Sequence, residues 1–180
     1  MLKNPKQLPV RGAMLTLAVL LILLLVILLL GTGPAVAREK LTVGATEVIH
    51  VVDANLDFVA RIDTGARTTS INAQNIEIEN PAADKKENVG KTITLDVVNA
   101  KGEKRRIKSK IVKVLEVRNA QGTELRYMIP LTLRWHGIDK LIRVNLRDRS
   151  AMTYKLLIGR DWLKGDFIVD VDKNPGGRNK

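Results

Sequence analysis

The sequence predicts an all-β domain preceded by one apolar N-terminal helix. From Thr42 onward, short alternating or β-branched runs are separated by turn residues, and no long stretch follows the helical period. Before that point, an uncharged apolar run occupies residues 13–30. The chain of 180 residues contains no cysteine, so a packed core must stabilise it. The stretch of about 140 residues after the apolar run is long enough for one core.

The N-terminal segment has the pattern of an export signal. Lys3, Lys6 and Arg11 precede the apolar run, and a segment containing glycine and Pro34 ends it. The run is long enough for a transmembrane anchor, whereas Ala35-Val36-Ala37 has the small-x-small form of a cleavage site, and both alternatives stay open. In either case we expect the following domain in the periplasm, anchored to the inner membrane or released by cleavage after Ala37. The predicted organisation is a basic cytoplasmic segment at 1–12, the transmembrane or signal helix at 13–30, a linker at 31–43, the domain at 44–172 and a flexible tail at 173–180.

The elements of the domain follow from the alternating runs and from the turn residues between them. Hairpin turns are predicted at Asn99–Gly102, Asn119–Gly122 and His136-Gly137, and a polar loop at 80–88. One short helix is predicted at Asp161–Lys164. The predicted strands are Thr46–Val52, Leu56–Asp63, Ile76–Glu79, Thr92–Val98, Ile107–Val117, Glu124–Pro130, Leu131–Trp135, Leu141–Leu146, Tyr154–Ile158 and Phe167–Val171. Many short strands at close spacing are typical of a β-barrel or sandwich.

The charge of the chain points to anionic partners. Thirty Lys and Arg residues stand against 19 Asp and Glu, which gives a formal net charge of +11. Aromatic residues make up only 3% of the chain, so stacking platforms for single-stranded nucleic acid are scarce, and export argues further against a nucleic-acid partner. The densest basic run, Lys101 to Lys110, is predicted to be the solvated edge of a hairpin. Binding of an acidic substrate or an anionic lipid by this run is the alternative.

Several classes of catalytic site have no residues to build them. The only histidines, His50 and His136, are far apart and outside any His-Glu-x-x-His pattern, so no metal site is predicted. The sequence contains no phosphate-binding Gly-x-x-x-x-Gly-Lys-Ser/Thr loop and no Gly-x-Ser-x-Gly nucleophile motif. Carboxylates are therefore the remaining candidates for catalysis, and no cofactor is predicted.

Two short motifs lie at opposite ends of the domain. Asp63-Thr64-Gly65 follows the β-like run that starts at Phe58, and by itself it also fits an ordinary Asx turn. Near the other end, Leu157-Ile158 precedes Gly159-Arg160. Together the motifs resemble those of the retropepsin-like aspartic proteases, in which an apolar strand ending in Asp-Thr/Ser-Gly-Ala passes beside an apolar-apolar-Gly-Arg segment. The resemblance implies a closed acid-protease (retropepsin-like) barrel with one short helix.

The resemblance is closer to a bacterial branch usually labelled putative ATP-dependent zinc proteases, of a type associated with ATP-grasp glutamate ligases. It covers about residues 44–172, nearly the whole predicted domain. It implies a peptide or protein substrate and a functional link to such ligases. The residues support neither the ATP nor the zinc of that label, so aspartic chemistry is the prediction. The matching segments are 60–70, Glu124–Ile129, Leu146–Arg149, Leu157–Leu163 and Phe167–Asp170.

The resemblance also implies roles for individual residues. Asp63 is the expected catalytic carboxylate, and because the chain carries one Asp-Thr-Gly, a homodimer would supply the second. Thr64 would brace the two loops across the two-fold axis, and Gly65 would let the backbone approach the site. A hairpin at 114–125 would form a flap over the cleft. The expected substrate-binding residues are Ala66, Arg67, Asn119, Ala120, Gln121 and Gly122 of the loop and flap, with Gly159 and Arg160 behind the loop.

One position departs from the retroviral pattern. There an acidic residue after Asp-Thr-Gly-Ala pairs with the arginine after the late glycine, but here both positions are basic, Arg67 and Arg160. Asp148 or Asp161 is expected to replace the missing acid, and the two arginines predict a preference for acidic substrate groups. Three other interpretations stay open: a non-catalytic module of the same fold that binds a partner or an acidic peptide at the membrane surface, a nucleic-acid binder, and a zinc enzyme, which chelation would test.

Overall fold

The computed structural model describes residues 10–30, 39–119 and 122–175, which belong to two compact units, Met1–Arg38 and Glu39–Lys180. In the first unit, helix α1 spans Val10–Leu30, and its side chains are described at Leu15 and at residues 17–26. No helix among the described residues is long and apolar enough to cross a membrane. The transmembrane span predicted at 13–30 is thus not found among the described residues.

The second unit is mostly β-sheet with one short α-helix, which confirms the predicted all-β class. Two single-turn 3-10 helices occupy Val52–Ala54 and Lys85–Asn88. The strands of the described residues are β1 Leu41–Val43, β2 Thr46–Val51, β3 Leu56–Ile62, β4 Ser70–Ile78, β5 Thr92–Val98, β6 Lys104–Lys110, β7 Lys113–Asn119, β8 Gly122–Trp135, β9 Ile138–Arg147, β10 Leu156–Ile158 and β11 Phe167–Val169, and helix α2 spans Arg160–Leu163.

Strand β3 shows why these segments form strands. Its side chains alternate between the core and the surface, with Leu56, Phe58, Ala60 and Ile62 buried. This period of two matches the pleat of a strand, so every second side chain contributes to the core. The alternation also fixes which face of β3 is buried, because a shift of one residue would expose all four apolar side chains.

The strands form one large sheet whose order is β10-β3-β2-β8-β9-β4-β5-β6, with β7 paired to β8. Strand β10 pairs in parallel with β3 and also antiparallel with β4. The pairing order from β10 through β4 therefore returns to β10. This double pairing is compatible with the predicted closed barrel, and closure itself stays a prediction.

A second, two-stranded sheet joins the ends of the domain. Strand β1 pairs in parallel with β11, with Leu41 opposite Phe167. The sequence placed these residues of β1 in the linker at 31–43. The start of the predicted flexible tail also makes contacts, since Lys173 accepts a hydrogen bond from the Ala45 N–H at 2.7 Å. Residues 176–180 of the tail lie outside the described residues.

The hairpin turns lie where the sequence predicted them. Asn119 pairs with Gly122 at the end of the β7–β8 hairpin. His136 and Gly137 have φ values of +46° and +81° between β8 and β9, as a two-residue type I′ turn requires. The predicted strand Ile107–Val117 is interrupted between β6 and β7, because the chain changes its pairing partner there. The Ile111 N–H still donates to the Lys91 carbonyl on the β5 side at 3.0 Å, whereas the Val112 N–H donates to the Met128 carbonyl of β8 at 2.9 Å.

Candidate functional site

The strand pair β3 and β10 carries Asp63 to its position. The two strands run in parallel, with Ile158 opposite Ile62, and both side chains are buried. The N–H of Asp63 donates to the carbonyl of Ile158 at 2.9 Å. The backbone of Asp63 is therefore fixed by the core, although its side chain lies in a loop.

The loop after Asp63 wraps around its carboxylate. Asp63 Oδ1 accepts hydrogen bonds from the N–H groups of Gly65 at 2.9 Å and Ala66 at 3.2 Å. These bonds form an Asx turn. The ordinary turn that the sequence also allowed and the loop that holds the Asp63 carboxylate are therefore the same local structure. Asp63 is half-buried, Thr64 and Gly65 are exposed, and Oδ2 has no hydrogen bond within the described part of the chain. One carboxylate oxygen thus remains available for a reaction.

Gly159 lies directly behind this loop. A Cβ atom at this position would lie 2.7 Å from the carbonyl carbon of Thr68 and 2.9 Å from its oxygen. The N–H of Gly159 donates to Thr69 Oγ1 at 3.1 Å. Only glycine allows the two backbones to pass at this distance.

Arg160 binds backbone carbonyl groups of the Asp63 loop rather than an acidic side chain. Its Nη1 donates to the carbonyl oxygens of Thr64 at 2.8 Å and Gly65 at 3.0 Å, and its own N–H donates to the Ala66 carbonyl at 2.9 Å. Neither Asp148 nor Asp161 pairs with Arg160 among the described contacts. In the described structure, Nη1 of Arg160 thus binds loop carbonyl groups where a replacement acid was expected.

The carboxylate of Asp161 instead fixes the strand that follows the loop. It accepts from the Thr69 N–H at 2.9 Å and from the Thr69 hydroxyl at 2.7 Å, and Oδ1 also accepts from the Trp162 N–H at 3.0 Å. Asp148 lies elsewhere, where hydrogen bonds from the Ser150 hydroxyl and N–H hold its pKa below the usual value. The sequence motif contained Asp161, but only the fold reveals its partner Thr69.

Two cavities lie beside the Asp63 loop under the β7–β8 hairpin. The larger has a volume of about 790 Å³ and is lined by Arg67 and Arg160, while the smaller, of about 340 Å³, is lined by Ala66 and Arg67. Thr68 and the buried Leu115 of β7 line both, and we refer to the two cavities as the larger and the smaller compartment of the cleft beside the loop.

The predicted flap residues are described only in part. Asn119 and Gly122 are in the β7–β8 hairpin, and Gly122 lines neither of the two cavities. Ala120 and Gln121 lie outside the described residues. The substrate-binding roles of these four residues remain predictions.

The sequence assigned no role to two buried arginines of the smaller cavity. Arg126 on β8 is 8% exposed and Arg149, just after β9, is 6% exposed. Both fall in segments that carried the family resemblance, but a sequence alone does not show that a strand arginine is buried. For metals, the described residues contain no group of three His, Cys, Asp or Glu side chains that could bind an ion.

Comparison with known proteins places this geometry in context. Residues 42–175 match the family model described as RimB-like, retropepsin-like aspartic endopeptidase RimB. A probable alpha-L-glutamate ligase of Parasynechococcus marenigrum (strain WH8102) is 31% identical over 139 residues, which are 74% of this chain and 28% of that protein. A protein of the same description from Shewanella pealeana is 30% identical over 116 residues, 64% of this chain and 25% of its own length. The chain thus spans about a quarter of these relatives.

A solved structure shows the same fold. Lpg0085 from Legionella pneumophila, a protein of unknown function (DUF785), superposes with a TM-score of 0.61 at 24% identity, covering 75% of this chain and 96% of that one. With the match of the family model, this confirms the retropepsin-like resemblance.

Proposed function

Because the chain belongs to the RimB-like family of retropepsin-like aspartic endopeptidases, we propose that it hydrolyses peptide bonds with Asp63 as the catalytic carboxylate. The observation that carries the proposal is the geometry of Asp63. Its backbone is fixed by Ile158, its Oδ1 is held by two loop N–H groups, and its Oδ2 has no partner in the described structure. A carboxylate oriented in this way is ready to activate a water molecule.

The second carboxylate comes from a second copy of the chain. Two carboxylates a few Å apart share one proton, so one activates water while the other protonates the carbonyl oxygen, and the pair titrates as a unit. Among the described contacts no other acid of the chain reaches Asp63. Thr64 and Gly65 are exposed, which leaves the loop accessible to a two-fold-related copy. The hydroxyl of Thr64 then braces the two loops.

The cleft between the loop and the β7–β8 hairpin binds the peptide. Leu115 of β7 lines both compartments, which supports a role of the hairpin as a cover over the substrate. The hairpin tip at 119–122 closes over the bound peptide and excludes water.

The substrate carries acidic groups. Basic side chains on the wall of the larger compartment include Arg67, Arg160, Lys113, Arg143 and Lys164, whereas its one acid, Asp161, is occupied by Thr69. The name of the relatives, probable alpha-L-glutamate ligase, supports a substrate that contains glutamate. It also supports a functional link between this chain and such ligases. Because the chain matches only about a quarter of those proteins, their activity is not transferred to it.

We also propose that the domain acts in the periplasm. The basic residues Lys3, Lys6 and Arg11 before the apolar run at 13–30, and the Ala35-Val36-Ala37 pattern after it, support export. Fractionation of cells that express the tagged chain tests the location, and N-terminal sequencing of the product tests cleavage after Ala37.

Comparison with Asp63→Asn tests the carboxylate. The purified protein is offered a peptide library from acidic to neutral pH, and cleavage is expected only with Asp63 intact. Activity that survives the substitution refutes the assignment. Absence of activity in both proteins favours a binding module of the same fold.

A mixing experiment tests the shared site. If two copies form one dyad, adding an equal amount of Asp63→Asn protein to a fixed amount of active protein reduces activity to about half, because pairing is random. Unchanged activity over a range of mixing ratios shows that each copy works alone. Equal cleavage of acidic and basic peptide libraries contradicts the proposed substrate preference.

A further inference from the structure

Nearly all of the charged side chains that line the smaller compartment of the cleft are cationic. Five arginines and one glutamate contribute to its wall of about 340 Å³. The glutamate, Glu116, pairs with the exposed Arg118 at 2.9 Å at the rim. Ala66, whose N–H binds the Asp63 carboxylate, lines the same compartment. Positive charge is therefore concentrated in a compartment whose wall includes a residue that is hydrogen-bonded to Asp63.

Arg126 is buried with an incomplete set of partners. Its Nη2 pairs with Glu124 at 2.5 Å, its Nη1 reaches Asn145 Oδ1 at 3.4 Å, and its Nε has no hydrogen-bond partner. A buried donor without an acceptor costs free energy comparable to a lost hydrogen bond. Ser70 Oγ, which also belongs to the wall, is likewise buried and unpaired, so two of the three such side-chain atoms among the described residues occur in this compartment.

Arg149 is the more isolated charge. Its Nε donates to the Tyr154 carbonyl at 3.0 Å, and no carboxylate pairs with it in the described part of the chain. Burial, followed by repulsion from Arg147 and Arg126, lowers its pKa, whereas attraction from Asp63 opposes this shift. Burying a guanidinium without a counter-ion is costly, so a fold that retains one beside a cavity is suited to receive an anion.

We propose that this compartment is a carboxylate subsite, in which Arg149 and Arg126 bind the side chain of a glutamate or aspartate next to the scissile bond. The proposal rests on the proposed peptidase function and identifies the residues that select the substrate. Planar guanidinium groups match a carboxylate with paired hydrogen bonds, which gives geometric selectivity as well as affinity. Glu124 remains on Arg126, which leaves Arg149 as the main ligand for the incoming carboxylate.

Binding to a catalytically silenced protein tests the subsite without turnover. Full-length Asp63→Asn is titrated calorimetrically with acetylated and amidated Ala-Ala-Glu-Ala-Ala and with the same peptide carrying glutamine. We expect the glutamate peptide to bind about tenfold more tightly or better, because a charge-assisted pair is lost with the amide. Equal affinities overturn the proposal.

A second set of variants identifies the arginine. Adding Arg149→Gln to Asp63→Asn is expected to abolish the preference for glutamate, and Arg149→Lys to restore part of it. Arg105→Gln is the matched control, since it removes the same charge from exposed β6, outside the cavity. Retention of the full preference by the Arg149→Gln protein overturns the assignment. Circular dichroism shows whether that protein is folded; if it is not, the peptide comparison with Arg149 intact and the lysine variant decide.

Two further measurements test whether the compartment binds a chain terminus instead of a side chain, and whether the subsite and the peptidase function stand independently. The glutamine peptide with a free C-terminal carboxylate tests whether the compartment binds a chain terminus, and affinity equal to that of the glutamate peptide overturns the side-chain assignment. Cleavage of both peptides by the active protein at equal kcat/KM refutes the subsite while leaving the peptidase function intact. Preference for glutamate in binding without any cleavage refutes the peptidase function while leaving the subsite intact.

Discussion

Arg160 Nη1 lies 2.8 Å from the carbonyl oxygen of Thr64, so a residue just after β10 fixes the backbone of the loop that carries Asp63. The same nitrogen reaches the Gly65 carbonyl at 3.0 Å. The guanidinium of Arg160 restricts the loop by binding two of its carbonyl oxygens. It does so without binding the Asp63 carboxylate itself. Arg160 therefore acts on the Asp63 loop by holding its backbone in place.

Replacing Arg160 with glutamine should lower activity without unfolding the protein. Loss of the bonds to Thr64 and Gly65 allows the loop to move, and misplacement by about 1 Å can cost about 100-fold in rate. We expect kcat to fall about 10- to 100-fold, while the free energy of unfolding changes by less than about 0.5 kcal/mol because Arg160 is exposed. Steady-state kinetics and urea titration measure both. Arg105→Gln serves as the control, and an unchanged kcat for Arg160→Gln contradicts the role.

Alanine at the two site glycines should separate stability from activity. At Gly159 a Cβ would lie 2.7 Å from backbone atoms of Thr68, which cannot yield as a flexible side chain can, so we expect a loss of about 1–3 kcal/mol. At the exposed Gly65 the nearest atom is Asp63 Oδ1 at 3.1 Å, so Gly65→Ala should lower kcat with a smaller loss of stability. Equal unfolding midpoints for the two variants, measured in urea, contradict this ranking.

Local sequence patterns were sufficient to predict much of the fold and the two motifs that the structure brings together at Asp63. Strand β5 has the predicted bounds Thr92–Val98, because alternation and flanking turns are local properties. Asp63 and Gly159 were found because each lies in a compact motif. Strand β1 could not be predicted in this way, since its three residues form a strand only by pairing with β11 from the other end of the domain.

The burial of Arg126 and Arg149 in the smaller compartment could not be predicted from the sequence. On a strand, an arginine ordinarily suggests the solvent-facing side. Arg126 and Arg149 are both buried, and they line the smaller compartment together with residues of β7 and of the Asp63 loop, an arrangement that depends on long-range contacts. Similarly, the partner of Asp161 is Thr69, 92 residues earlier, which no spacing rule reveals.

Removing the carboxylate of Asp161 should destabilise the loop support. Asp161→Asn replaces a charged acceptor of hydrogen bonds from Thr69 and Trp162 with an amide that also carries donors, so we expect a loss of about 1–3 kcal/mol. Thr69→Val removes the hydroxyl from the same interaction. The double variant should lose less than the sum of the single variants, because both remove one shared bond. Additive losses in urea titrations show that the two residues act separately.

Asp96 should contribute stability that disappears in acid. Its buried carboxylate accepts hydrogen bonds from Asn75 at 2.7 Å and from Arg106 at 3.2 Å, and the bond from Asn75 is the main cause that holds its pKa below the usual value. A folded-state pKa below the unfolded value stabilises the protein above the unfolded pKa, and this contribution is lost as the pH falls through the folded pKa.

Asp96→Asn should therefore lower the urea midpoint at about pH 7, and the difference from the unchanged protein should shrink as the pH falls below about 4. Glu87→Gln, on the exposed polar loop at 80–88, removes the same charge and controls for net charge. If Asp96→Asn and the unchanged protein differ equally at about pH 7 and about pH 2, the carboxylate of Asp96 stabilises the fold by packing rather than by its charge.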